Sequence, residues 1–243
     1  MNSMKLGVIV PITGELSDLD GKVHSVLAPL LSPDTEVVIR GIDRGFPSVE
    51  CELHSAYNTP GVLAAASGLV NEGCSGIFVS CFDEPGVLAC RENLTVPVLG
   101  AYAPAMSYAG LLGDRYAVLT TDEAGILSEE RKARTYRFSP AAIRAVDMEV
   151  TDLRRDRMQL VRRLTEACLI LWKTERISAA VLGCTGMFPA AGELRQLLAA
   201  EGCPVQVVEP FAQGLCALET MVRLGLSNHV SGAAVRMERL KWY

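Results

Sequence analysis

The sequence contains no apolar run of the roughly 18 residues that a membrane-spanning helix needs. Residues 1–10 lead directly into a strand-like run and lack the layout of a secretory signal peptide. A basic patch is also missing: the 23 Lys and Arg residues are interspersed with 28 Asp and Glu residues, and the formal net charge is −5. These absences argue against a membrane or nucleic-acid partner. We expect a cytoplasmic protein whose partner is a small molecule.

Signatures of common cofactors are missing as well. No Walker loop occurs, and no Gly-x-Gly-x-x-Gly motif follows a strand. The candidate site segments described below contain no lysine, which argues against a pyridoxal Schiff base. Cys-x-x-Cys and paired-histidine patterns are absent, and His24, His54 and His229 are scattered. We therefore expect neither a metal nor an organic cofactor.

The residues that are present predict an α/β fold. Apolar residues make up 49% of the 243-residue chain, which is enough for a substantial core. Strand-like runs alternate with helical patterns, as in parallel sheets flanked by helices, and the pattern restarts near Arg115 as if duplicated. We expect two pseudo-symmetric lobes around an active-site cleft. Residues 1–100 with about 208–243 would form the first lobe, and residues 101–207 the second.

Local patterns give the expected boundaries of the elements. Thr59 and Pro60 are typical of a helix start, whereas the preceding segment 41–57 has no clear period and is predicted to be irregular. Strands are predicted at residues 5–10, 35–40, 76–80, 96–100, 115–121, 143–146, 177–183 and 204–208. Helices are predicted at residues 18–31, 59–72, 84–92, 103–112, 123–134, 151–175, 189–200 and 210–224.

Two segments share one arrangement, which we name the first elbow (residues 75–86) and the second elbow (residues 178–189). In each, an apolar run ends on a cysteine, Cys81 or Cys184, and turn residues follow. Ligands of open parallel sheets bind beyond the carboxyl ends of the strands, where these cysteines fall. A single such cysteine is most often a buried structural thiol, but the repeat favours two thiols facing one cleft. The other six cysteines are interpreted as structural.

Two opposed thiols have a definite chemistry. A strand-to-helix elbow offers backbone N–H groups that stabilise a thiolate. One thiolate can remove a proton from a carbon next to a carbonyl while the opposed thiol delivers a proton to the other face. The sequence therefore predicts Cys81 and Cys184 as catalytic residues that invert a stereocentre without a cofactor. Candidate donors to the developing enolate oxygen are Thr13, Thr120, Thr121, Thr185 and the elbow N–H groups.

The predicted substrate-binding residues follow the first strand of each half or flank the two cysteines. They are Pro11, Ile12, Thr13, Ser80, Phe82, Thr120, Thr121, Gly183, Thr185 and Gly186. The alternative interpretation of Thr120 and Thr121 is that they cap the following helix. Phe82, Met187 and Phe188 form either core or an apolar pocket. The carboxylates Asp83, Glu84 and Glu209 are interpreted as helix-start residues rather than acid-base catalysts.

These segments resemble the aspartate/glutamate/hydantoin racemase superfamily, and the similarity is greatest to its hydantoin racemase branch. The matching segments are residues 81–86, 89–92, 96–98, 116–121, 182–187, 208–210 and 224–226. The resemblance implies two α/β lobes around a cleft, with Cys81 and Cys184 as opposed bases of a cofactor-independent racemisation. It also implies substrate contacts from the turn after the first strand, from Thr120 and from Thr121. A homo-oligomer is expected in addition.

Four positions depart from the patterns of that superfamily. The first turn usually reads Asn-Pro-Asn-Thr, whereas this chain has Val10, Pro11, Ile12 and Thr13. Glu209 stands where Asp is usual, and amino-acid racemases typically carry Glu at the position of Gly186. Because both thiols are present, these departures bear on the substrate rather than on the chemistry.

The expected substrate is a neutral ring, a 5-substituted hydantoin or a related cyclic ureide. Apolar residues flank both cysteines and no cationic residue lies beside them within the elbows, which suits a neutral ring better than a dicarboxylate. The alternatives are an aspartate/glutamate-type amino-acid racemase and a decarboxylase or cis-trans isomerase of the same superfamily. A ligand-binding protein with structural thiols is the alternative from a different functional class.

Overall fold

The computed structural model describes residues 3–14, 16, 21, 23–153 and 155–228. The chain divides into two compact units, Met1–Gly100 with Gly214–Tyr243 and Ala101–Gln213. Each unit contains one four-stranded sheet in which every described strand pair is parallel. The predicted α/β class, with two parallel sheets flanked by helices, is confirmed.

The first unit is built on strands β1 to β4 in the order β2-β1-β3-β4. The strands are β1 (Met4–Ile9), β2 (Thr35–Arg40), β3 (Gly76–Val79) and β4 (Val98–Gly100). Helix α1 (Glu52–Asn71) connects β2 to β3, and helix α2 (Val87–Asn93) connects β3 to β4. The predicted helix at residues 18–31 lies partly outside the described residues. From Val23 onward this segment forms a π-helical turn, Val23–Leu27, and a 3-10 turn, Ala28–Leu30.

The second unit repeats this topology with the order β6-β5-β7-β8. Its strands are β5 (Tyr116–Thr120), β6 (Ala142–Ala145), β7 (Ala179–Leu182) and β8 (Gln206–Val208). The helices are α3 (Tyr102–Leu112), α4 (Glu123–Tyr136), α5 (Arg157–Glu175) and α6 (Ala191–Ala200), followed by α7 (Pro210–Arg223), which continues into the first unit. The repeated strand order agrees with a duplicated sequence.

The central strands carry the core of each unit. Every residue of β3 and every residue of β7 is buried, as expected for parallel strands that are covered on both faces. Helix α7 packs closely on β3 because residue 214 has no side chain: a Cβ at Gly214 would collide with the ring of Phe78. Because each central strand is fixed by packing on both faces, the residue that follows it has a defined position.

Helix α1 differs most from the expectation, because it begins at Glu52 and not at Thr59. Pro60 lies inside the helix, where it lacks the N–H that would bond to the carbonyl of Ala56. Thr59, which resembled a cap, donates its hydroxyl to the carbonyl of Ser55 one turn earlier. The additional first turns place Asn58 against the loop after β2, and this non-local contact has no local sequence signal.

Two other helices begin later than expected. Helix α2 begins at Val87 because Glu84 and Gly86 adopt left-handed backbone conformations, with φ of 53° and 73°. Helix α5 begins at Arg157 because the side chain of Asp156 caps it, accepting a hydrogen bond from Gln159 N at 2.9 Å. None of the described helices is long and apolar enough to cross a membrane.

Candidate active site

The end of β1 and the end of β3 lie side by side in the first unit. Ile9 pairs with Val79, and Ser80 N donates to the carbonyl of Ile9 at 2.8 Å. Because parallel strands end at the same edge of a sheet, this pairing brings together two groups of predicted site residues. They are Pro11, Ile12 and Thr13 after β1 and Ser80, Cys81 and Phe82 after β3.

Cys81 is half-buried between two buried neighbours, Ser80 and Phe82. The chain turns sharply after it: Glu84 N donates to the carbonyl of Cys81 at 3.1 Å, and Val87 N donates to the carbonyl of Glu84 at 3.2 Å. The interpretation of Glu84 as a helix-start residue is therefore wrong, because it lies in this turn with a left-handed backbone. Its buried side chain lies against Gly100 at the end of β4, and this contact holds the turn that follows Cys81.

The second unit places the ends of β5 and β7 side by side in the same way. Leu119 pairs with Leu182, and Gly183 N donates to the carbonyl of Leu119 at 2.7 Å. This edge therefore collects the predicted residues Thr120 and Thr121 after β5 and Gly183, Cys184, Thr185 and Gly186 after β7. Both threonines after residue 119 are buried.

The helix cap beyond β5 is Asp122 and not a threonine. Its carboxylate accepts a hydrogen bond from Gly125 N at 2.8 Å, which caps α4. The hydroxyl of Thr120 instead lies against Gly125, where a Cβ would collide with it. The helix-cap alternative for Thr120 and Thr121 is thus excluded by the geometry.

Cys184 lies at the start of a 3-10 helix, Thr185–Ala190, that leads into α6. Its Sγ accepts a hydrogen bond from Gly186 N at 3.3 Å, and its carbonyl accepts one from Met187 N at 3.0 Å. The N–H of Gly186 is thus directed at the sulfur at the start of this turn. Cys184 is half-buried.

Four of the other cysteines are buried and one is exposed. Burial raises the pKa of Cys90 and of Cys168 to about 12, and it also raises the pKa values of Cys74 and Cys216. A thiol with so high a pKa is a poor nucleophile and a poor base near neutral pH. Burial in the core is what a structural role predicts for a free cysteine. The buried cysteines are Cys74, Cys90, Cys168 and Cys203, whereas Cys51 is exposed and Cys216 half-buried.

Glu209 directly follows β8 and is a helix-start residue, as predicted. Its two carboxylate oxygens accept hydrogen bonds from Phe211 N and Ala212 N, both at 2.8 Å. Burial raises the pKa of this carboxyl to about 7, although the two backbone donors act in the opposite direction. Nearby Phe188 packs on Phe211 with 5.7 Å between ring centroids, so Phe188 belongs to the core.

Two buried residues that the sequence did not single out contact predicted site residues. Asn58 donates from Nδ2 to the carbonyl of Pro11 at 2.7 Å. Leu153 approaches Gly186, where a Cβ would lie 3.2 Å from Leu153 Cδ1. Both come from segments that are distant in sequence from the strand ends, so no local pattern indicates them.

Within the described ranges, no group of three or more His, Cys, Asp or Glu side chains is placed to hold a metal ion. A cavity of about 620 Å³ lies on the outer faces of α5 and α6, and its lining includes Met158, Arg162, Glu166 and Leu197. None of the predicted site residues lines that cavity.

Comparisons with known proteins agree with the geometry. The sequence model of the family described as Asp/Glu/Hydantoin racemase matches residues 18–215. The hydantoin racemase of Pseudomonas sp. (strain NS671) is 28% identical over 224 residues, which cover 91% of this chain and 87% of that protein. The allantoin racemase from Klebsiella pneumoniae superposes with a TM-score of 0.86 at 27% identity, covering 96% of this chain and 94% of its own. The allantoin racemase from Pseudomonas fluorescens, at 23% identity and a TM-score of 0.85, shares the fold over 96% of this chain and 97% of its own.

Proposed function

Because the chain belongs to the Asp/Glu/hydantoin racemase family, we propose that it inverts the stereocentre at carbon 5 of a 5-substituted hydantoin or a related cyclic ureide. One observation carries the proposal: a half-buried cysteine follows the central strand of each repeated sheet, Cys81 after β3 and Cys184 after β7. The substrate class is supported by the names of the relatives, a hydantoin racemase and an allantoin racemase. Allantoin is itself a hydantoin that carries a ureido group on carbon 5.

The proposed mechanism uses the two thiols as the two bases and requires one of them on each face of carbon 5. The thiolate of one cysteine removes the proton from carbon 5, and the electron pair of that bond moves into the ring to form an enolate. The thiol of the other cysteine then protonates carbon 5 from the opposite face. The product leaves the first cysteine as a thiol and the second as a thiolate, so the enzyme is ready for the reverse direction or for proton exchange with water.

Hydrogen-bond donors are needed for the ring carbonyl that becomes the enolate oxygen. We assign this role to the hydroxyls of Thr120 and Thr121, which are buried at the end of β5, and to backbone N–H groups of the elbows. A threonine hydroxyl both donates and accepts, which matches the alternating N–H and carbonyl groups of a ureide ring. The remaining proposed substrate-binding residues are Pro11, Ile12, Thr13, Ser80, Phe82, Gly183, Thr185 and Gly186.

The surroundings of Cys184 favour a neutral ring over an amino acid. At residue 186, amino-acid racemases typically carry Glu, and here Leu153 lies so close to Gly186 that even a Cβ would be in tight contact. A glutamate side chain at this position would have to displace the buried Leu153. Ile12, which stands where the family usually has an amide, likewise offers only apolar surface from its side chain.

The same proposal includes a cofactor-independent reaction, a cytoplasmic enzyme and a homo-oligomer. The absence of a cofactor rests on the two-thiol chemistry, and the cytoplasmic location rests on the composition. The homo-oligomer rests on the resemblance to the family. Light scattering coupled to size-exclusion chromatography tests the homo-oligomer. We expect a mass of two or more times 26.1 kDa, and a mass of 26.1 kDa would contradict the proposal.

An assay in D₂O with single enantiomers tests the substrate class. Enantiopure 5-benzylhydantoin and enantiopure allantoin are followed by circular dichroism and by mass spectrometry, against enzyme-free controls that correct for spontaneous racemisation. We expect loss of ellipticity and gain of one deuterium at carbon 5 for at least one of the two, and no change with L-aspartate or L-glutamate. Turnover of an amino acid alone would move the assignment to the amino-acid racemases, and no turnover of any compound would overturn it.

A further inference from the structure

Asn58 is a fully buried polar residue on a helix face that is otherwise apolar. The other buried residues of α1 are Val62, Ala65, Ala66 and Leu69. A buried amide destabilises a protein unless its hydrogen bonds are made. The bonds that Asn58 makes therefore indicate which part of the structure it holds.

The amide of Asn58 joins two segments that are far apart in sequence. Nδ2 donates to the carbonyl of Pro11 at 2.7 Å and to the carbonyl of Phe46 at 3.2 Å. Oδ1 accepts from Phe46 N at 2.7 Å. An asparagine side chain can make four hydrogen bonds, and backbone groups take three of them here. Asn58 is thus committed to the backbone and does not replace the amide side chains that the family usually carries in the first turn.

Two further hydrogen bonds join the first turn (residues 11–13) to the same loop. Thr13 N donates to the carbonyl of Phe46 at 3.2 Å, and Ile42 N donates to the carbonyl of Ile12 at 3.2 Å. The carbonyl of Phe46 therefore accepts hydrogen bonds from both Thr13 N and Asn58 Nδ2. Moving Asn58 would move both Pro11 and the partner of Thr13.

At two glycines the loop after β2 packs so closely against α1 that there is no room for a side chain. A Cβ at Gly45 would collide with Oδ1 of Asn58. A Cβ at Gly61, one turn along the helix, would lie 2.8 Å from Cβ of Ile42 and 3.2 Å from the carbonyl of Arg44. The loop and the helix are in backbone-level contact, so a side chain of another shape at residue 58 has to displace the loop.

We propose that Asn58 is a positioning residue for substrate binding, and that its side-chain amide sets the affinity for the cyclic ureide by fixing the first turn. The inference rests on the proposed function, in which residues 11–13 contact the substrate. The chemistry at carbon 5 is carried by Cys81 and Cys184, which Asn58 does not contact through any of its three hydrogen bonds. Its loss should weaken binding more than turnover.

Two variants whose side chains share the branched shape of asparagine test this proposal. Asn58→Leu removes all three hydrogen bonds, whereas Asn58→Asp keeps the acceptor for Phe46 N and loses both donors. Thr59→Val is the matched control, because the hydroxyl of Thr59 donates only within its own helix, to Ser55. Racemisation rates of enantiopure 5-benzylhydantoin and allantoin give KM and kcat for each protein.

For both Asn58 variants we expect KM to rise roughly tenfold or more while kcat changes by less than about threefold, with Thr59→Val like the wild type. A merely structural role would lower the active fraction, and hence the apparent kcat, and leave KM unchanged. Unchanged KM in a folded variant would overturn the inference. If Asn58→Leu does not fold, Asn58→Asp decides the question.

Amide hydrogen exchange tests this inference independently of the proposed function, because the measurement requires no enzymatic activity. In Asn58→Asp, peptides that cover residues 11–14 should exchange their amide hydrogens at least about tenfold faster than in the wild type, with residues 118–121 unchanged. Equal exchange at residues 11–14 would overturn the inference even for an active enzyme. A wild-type protein that racemises no hydantoin would overturn the proposed function instead.

Discussion

The backbone N–H of Gly186 donates a hydrogen bond to the Sγ of Cys184 at 3.3 Å, and the buried Leu153 lies against the same glycine. The 3-10 turn Thr185–Ala190 thus fixes the donor relative to the sulfur, and Leu153 packs against that turn. A change at residue 186 should act on the reactivity of the thiol through this arrangement.

Gly186→Ala should lower racemase activity. The new Cβ would lie 3.2 Å from Leu153 Cδ1 and 3.4 Å from Cys184 Sγ, so the turn must shift by a few tenths of an ångström. We expect kcat to fall roughly threefold to thirtyfold. Leu153→Ala in the same chain restores the space, and the double variant should recover most of the loss. Equal activity in Gly186→Ala and wild type would show that the N–H to sulfur geometry is unimportant.

Gly100→Ala should destabilise the turn that follows Cys81 in the chain. A Cβ at residue 100 would lie 2.5 Å from Cγ of Glu84, which is buried and held in a left-handed backbone conformation. We expect a loss of about 1–3 kcal/mol in the free energy of unfolding, measured by urea denaturation. In a Glu84→Ala background the same substitution should cost less than about 0.5 kcal/mol. Equal costs in both backgrounds would mean that the collision does not determine the stability of this turn.

Glu209 should make the protein less stable as the pH rises toward neutrality. Its pKa is about 7 in the folded state and near 4.5 when unfolded, because burial disfavours the charged form. Between these values the folded state binds more protons, so the free energy of unfolding falls as the pH rises from about 5 to about 7, by up to roughly 3 kcal/mol. The difference in the free energy of unfolding between wild type and Glu209→Gln, measured across this pH range, isolates the contribution of Glu209. A difference that stays constant with pH would contradict it.

Alkylation should distinguish the elbow cysteines from the structural ones. With limiting iodoacetamide near pH 8, we expect Cys184 and Cys81 to be labelled together with the exposed Cys51, as read by peptide mass spectrometry. Cys90 and Cys168 should stay unlabelled until the protein unfolds, since burial raises their pKa values to about 12. Labelling of Cys90 or Cys168 in the native protein before Cys184 would contradict the assignment.

Much of the fold could be predicted from the sequence because buried parallel strands are continuous apolar runs. The run that ends at Cys81 and the run that ends at Cys184 became β3 and β7 within two residues of the expected bounds. Even the short β6 lies within one residue of its predicted position. These predictions depend only on local pattern and on its repetition along the chain.

The contacts that hold the site could not be predicted in this way. Asn58 lies before Pro60, a residue type that is favoured in the first turn of a helix, and its partners lie 12 and 47 positions away. Leu153 comes from a turn ahead of α5, within the range for which the local pattern predicts the helix itself. Such contacts are set by tertiary packing, and they appear only once the sheets bring distant segments together.

The most direct test of the central claim compares Cys81→Ala and Cys184→Ala with the wild type, using each enantiomer of the same hydantoin in D₂O. Both variants should lose racemisation by roughly a hundredfold to ten-thousandfold. Each should still exchange the carbon 5 proton of one enantiomer, and the two variants should prefer opposite enantiomers, because each retains the base on one face. Full racemisation by either variant, or exchange of the same enantiomer by both, would contradict the two-thiol mechanism.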